Sequence, residues 1–74
     1  MIVTVRVAME GSSRKPLVGT IEVKGPCHTG DLVTLITGCV GKVIDTTTMG
    51  YIKVEAAPSV YEHCRKNLKW KEAY

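Results

Sequence analysis

Between Gly30 and Glu55 the chain reads GDLVTLITGCVGKVIDTTTMGYIKVE, three short β-branched segments cut by glycines at positions 38, 41 and 50. β-Branched residues lose rotamer freedom in a helix and pack well on a pleated surface. Glycine inside such a pattern marks a bulge or a sharp bend, the device with which a small sheet rolls up. The stretch predicts three strands, Leu32 to Thr37, Val40 to Asp45 and Tyr51 to Ala56, of a small and strongly curved barrel. A competing reading makes Thr29 an N-cap and 31–37 a short helix. Four of those seven residues are Val, Thr or Ile, which argues for the strand.

Upstream, Val3, Val5, Val7 and Met9 alternate with Thr4, Arg6 and Ala8, the period-two signature of a half-buried strand. Gly11-Ser12-Ser13-Arg14-Lys15-Pro16 is a polar loop with breakers at both ends. Alternation resumes with Leu17, Gly19, Ile21 and Val23 against Val18, Thr20, Glu22 and Lys24, so the two segments predict a hairpin that Gly25-Pro26 stops. Downstream, Pro58 ends the fifth strand and Ser59 is placed to cap a helix over 59–74. Glu62 in its first turn and the lysines in later turns suit the helix macrodipole at both ends. Val60, Cys64 and Leu68 recur at i, i+4 and i+8 beside Tyr61, a stripe expected to pack on the barrel. Trp70 and Tyr74 fall beyond that stripe and are expected to be exposed. The fold class is therefore mainly β: one domain over 1–74, with a five-stranded barrel or curved sheet over 1–58 and a C-terminal helix over 59–74.

One modest core is all that 74 residues can hold. With 45% hydrophobic but only 5% aromatic residues and no Phe, that core must be built from Val, Ile and Leu, which suits a sheet. No apolar run approaches the roughly 18 residues that a membrane helix needs. Arg6 and Glu10 also interrupt the N-terminus where a signal peptide would be apolar. The expected compartment is the cytoplasm, with no membrane partner. Cys27, Cys39 and Cys64, odd in number and widely spaced, read as reduced thiols. Charge is uneven: 59–74 carry Arg65, Lys66, Lys69 and Lys71 against Glu62 and Glu72, and so hold +2 of the net +3.

The pattern Gly30-Asp31-x-Val33, Gly38-x-Val40-Gly41-Lys42-Val43 and Gly50-Tyr51-Ile52-x-Val54 resembles the SH3-like β-barrel segment of KOW-type domains and of the small accessory subunit of the bacterial Sec translocon. In such segments a GD turn opens a strand, a G-x-V-G-basic-V strand follows and a hydrophobic strand closes the unit. The resemblance covers residues 30–56. It implies an SH3-like barrel, and in its KOW form it implies RNA or ribosome contact around Gly41 and Lys42. This chain departs from the translocon subunit by opening with a hairpin where that family has a membrane helix.

Catalytic and metal motifs are sparse. Cys27, His28, Cys39, His63 and Cys64 include enough soft donors for zinc, but the usual C-x2-C or H-x3-H pairs are missing, so no metal or other cofactor is expected. His63 and Cys64 lie about 100° apart around a helix and cannot serve each other as base and nucleophile. No paired-carboxylate motif is present, and Gly38-Cys39-Val40-Gly41 sits between strands rather than opening a helix as a phosphate cradle would. The reading is a non-catalytic binding module that docks on another macromolecule, a protein in the first place, as an adaptor, an accessory subunit or a phage-type inhibitor of host machinery. Its candidate contact residues are Tyr51, Tyr61, Arg65, Trp70 and Tyr74, because aromatic residues and Arg dominate interface energies. An outer edge strand, the first or the fifth, could pair with a partner's strand or with a second copy in a homodimer. The alternative is nucleic-acid binding through Lys42, Arg65, Lys66, Lys69 and Lys71, with aromatic stacking on bases.

Overall fold

A strand that buries every second side chain needs neighbours that do the same, and this chain supplies them. The computed structural model describes residues 1–47 and 50–73. The strands are β1 (Ile2–Met9), β2 (Leu17–Glu22), β3 (Leu32–Ile36), β4 (Cys39–Thr46), β5 (Tyr51–Ala56) and β6 (Lys71–Glu72), with α1 (Pro58–Lys66) between β5 and β6. All six strands form one sheet in the order β3-β4-β5-β1-β2-β6, curled into a half-barrel. Its concave face is lined by a row that runs across four strands: Val43 opposite Val54, Val54 beside Val7, and Val7 opposite Leu17. All four are fully buried. The other face carries Thr4, Arg6, Thr20, Lys42 and Lys53, as the alternation requires.

Register is adjusted by bulges. Leu35 is an extra residue on β3 between the Thr34–Val40 and Ile36–Cys39 pairs, and Ile44 is an extra residue on β4 between the Val43–Val54 and Asp45–Lys53 pairs. Each bends its strand and increases the local twist, which curls the sheet. Gly41 faces inward at the tightest point, where a Cβ would lie 2.3 Å from Val54 Cγ1.

Two expectations are overturned. The first and fifth strands are not edges: β1 and β5 pair in parallel at the centre of the sheet. An up-and-down run of five strands reverses direction four times and so leaves its first and last members pointing the same way, and the Val5–Ile52 and Val7–Val54 contacts bury both inner faces. The free edges are β3 and β6. The other correction concerns the tail. The helix starts with Pro58 in its first turn, where a missing N–H costs nothing, and Ala57 rather than Ser59 takes the cap position. Glu62 accordingly falls outside the first turn.

The helix also stops at Lys66, well short of residue 74. Asn67 leaves the helical conformation and its Oδ1 accepts a hydrogen bond from the Lys69 N–H at 2.9 Å, the local competition that makes Asn a poor helix interior residue. The chain then turns back to pair Lys71–Glu72 with Leu17 and Val18 of β2. Magnitudes explain the choice. A continued helix would have buried Leu68, worth about 1.5–3 kcal/mol. The turn instead buries Trp70, whose roughly 150–250 Å² at about 25 cal/mol per Å² is worth about 4–6 kcal/mol. Trp70 is 3% exposed and Leu68 is 95% exposed. The indole fits because Gly19 leaves its socket empty: a Cβ there would lie 2.6 Å from the ring. Tyr61 and Cys64 are the helix residues that reach the core, and the Tyr61 hydroxyl donates to the Lys15 carbonyl at 2.6 Å.

Trp70→Ala is expected to cost about 3–5 kcal/mol, as large aromatic truncations in cores do, whereas Leu68→Ser should stay within about 0.5 kcal/mol. Urea unfolding of the two variants checks this, and a large loss at Leu68 would contradict the tail's path.

A candidate docking site at the open seam

In the ring order of five strands, four neighbouring pairs are made and one is not: β2 and β3 do not pair. Chain composition accounts for the gap. After Glu22 the connection runs through Gly25-Pro26, and proline cannot donate to a ladder. A groove of about 490 Å³ fills the space, with Ile21, Glu22 and Val23 on one bank and Leu32, Val33 and Thr34 on the other.

The entry to β3 is locked. His28 to Asp31 form a turn closed by the Asp31 N–H to the His28 carbonyl at 3.0 Å, with Gly30 at φ +97°, a value that glycine reaches without strain. Asp31 Oδ2 accepts the His28 N–H at 2.8 Å. Gly30 N–H then donates to the Val43 carbonyl at 2.7 Å, and Val43 N–H donates to the Asp31 carbonyl at 2.8 Å, a glycine bulge that sets the β3–β4 register. This is the physical content of the GD turn.

Register also decides which main-chain groups face the groove. Because Asp31 bonds to β4, the alternation of an antiparallel ladder points the Asp31 and Val33 groups inward to β4 and the Leu32 and Thr34 groups outward. On the other bank, Met1 and Val23 exchange both hydrogen bonds, at 2.9 and 2.8 Å. Ile21 therefore faces β1, and the N–H and C=O of Glu22 point to the groove. The floor is apolar, from Ile21 and Val33, and the rim carries Glu22 and Asp31 against Lys24. Leu32, at 72% exposure, stands on the outer face beside the exposed Val40 and Ile44 of β4.

The residues singled out in the sequence are scattered. Tyr61 and Trp70 are core side chains, so neither presents its ring to a partner. Tyr51 is half-buried on the outer face with the Arg6 guanidinium 5.4 Å from its ring centre. Tyr74 lies outside the described residues. Arg65 is held by Glu62 through Nε at 3.0 Å and Nη2 at 2.9 Å, and Arg14 Nη1 reaches the same carboxylate at 2.6 Å. These guanidiniums, Arg65 first, hold the Glu62 carboxyl below the usual carboxylate range. Lys66 ends the helix, Lys69 lies 5.9 Å from the Trp70 ring centre, Lys71 is on β6, and Lys42 is on β4 opposite Glu55, so the five cations do not share one helical face. A second hollow of about 220 Å³ on the outer face sets Arg6 beside its register partner Lys53.

One pairing had no signal in the sequence. His63 Nδ1 lies 3.6 Å from Cys39 Sγ, across 24 residues of chain. His28, by contrast, is on the surface near Asp31. Among the described residues no third group holds the His63 ring, and no three His, Cys, Asp or Glu side chains converge as metal ligands. Burial, with the Cys39 thiol adding to it, pushes the Cys64 thiol up to about 11. No helix among the described residues is long and apolar enough to cross a membrane. No family model, curated protein or solved structure matches this chain.

The raised Cys64 value has a defined consequence. A thiol that stays protonated in the fold but ionises from 9.0 upward when unfolded contributes stability that is complete below pH 9 and lost as pH rises towards 11. Urea midpoints between pH 8 and pH 10.5 should therefore fall more steeply for the wild type than for Cys64→Ala. Parallel slopes would place the thiol in a less buried setting.

Proposed function

We propose that the protein is a non-catalytic, SH3-like docking module of the cytoplasm that binds another protein through the β3 side of its half-barrel, as an adaptor, accessory subunit or inhibitor. The observation that carries this reading is the open seam: an uncharged edge strand, LVTLI, with Leu32 exposed at 72% beside a groove that it shares with the end of β2 and the connection through Cys27. Monomeric proteins blunt such edges with charge, proline or a covering element. Exposed apolar side chains clustered beside a groove are a feature of interaction surfaces. The contact residues shift accordingly from the aromatic set to Leu32, Val40 and Ile44, with Lys42 opposite Leu32 on the same outer face.

Leu32→Asp should weaken binding to an affinity-captured partner by about 30-fold, the loss of one interface hot spot, while leaving the melting curve nearly unchanged. Binding should respond weakly to salt. If affinity falls with a slope of about −0.9 per phosphate on duplex DNA, and Lys66→Ala and Lys69→Ala weaken it while Leu32→Asp does not, nucleic acid is the target instead.

A further inference from the structure

We propose that the seam between β2 and β3 takes an extended peptide segment of the partner protein, laid along β3 as an added strand; this rests on the docking reading above and names what docks. The two edges of the sheet are treated differently. β6 is two residues long and both are charged, which is how natural sheets protect an edge. β3 is five residues long without charge or proline, and its bulge at Leu35 leaves Leu32 to Thr34 regular. At about 3.3 Å per residue the regular part gives a bank of about 10 Å, enough for a short added strand.

The chemistry of the groove selects the occupant. Among the described residues, the main-chain N–H and C=O of Leu32 and Thr34, spaced two residues apart, point away from β4 into the groove, with those of Glu22 on the opposite bank. A ladder with that repeat is satisfied by another extended backbone, whereas a helix has its own main-chain groups already paired. The floor of Ile21 and Val33 suits small apolar side chains on alternate residues of the guest. Glu22 and Asp31 outnumber Lys24 at the rim, which suits a basic side chain at the guest's end. A strand in this place extends the sheet at β3, beside the end of β2 that β6 leaves unpaired.

The test uses the intact chain and a synthetic probe, acetyl-RVTVTVR-amide. Thr34→Pro is the informative variant, because the N–H it removes points to the groove and makes no bond to β4. The probe should bind saturably and slow hydrogen exchange at the Leu32 and Thr34 amides. Thr34→Pro should weaken binding about threefold to tenfold, the loss of one main-chain bond, and N-methylation of alternate probe amides should weaken it further. If the variant fails to fold, the exchange data on the unaltered chain decide. The inference is overturned if the probe does not bind at millimolar concentration, or if it binds without slowing those amides. It is also overturned if the protein alone doubles its mass with the same amides protected, since the occupant is then a second copy. The docking reading fails separately, when a captured partner is indifferent to Leu32→Asp.

Discussion

The fold depends on one row of side chains, Val43, Val54, Val7 and Leu17, all fully buried and each from a different strand. Three of the four are valines, short and stiff at χ1, so the strands that carry them approach closely and the sheet must curl to keep them in contact. The parallel β1–β5 pair at its centre follows from this, because those two strands contribute the middle of the row. The helix adds Tyr61 and Cys64 to this core, and the returning tail adds Trp70.

A sheet with this curvature in a chain this short closes most of a ring but not all of it. The connection after Glu22 contains Gly25 and Pro26 and reaches β3 only through the tight turn at Gly30. It brings two strands alongside each other without letting them pair. The seam is thus the by-product of the same local chemistry that fixes the register of β3, and it leaves main-chain groups aimed at an apolar floor.

Much of this was legible in the sequence because period-two alternation is a local signal. Val3 to Met9, Leu17 to Glu22 and the segments after Gly30 all fold as strands where the alternation places them. Strand order was not legible, since nothing local in Val5 or Ile52 says that they lie side by side. The helix over 59–74 failed for a similar reason: the Val60, Cys64 and Leu68 stripe is a genuine local pattern, and it loses to the larger area of Trp70 seated on a glycine 51 positions earlier in the chain. Gly19 read as one more small residue in a strand, when it is a socket. The contact of Cys39 with His63 likewise arises only when distant elements are brought together.

Trp70 is the chain's single tryptophan, and it rests on the strand whose far half forms one bank of the seam. Its indole therefore works as a built-in optical gauge. Any event that peels β2 from the tail moves the ring from its buried socket into water and reddens its emission. The molecule carries its own spectroscopic report on whether its tail is seated.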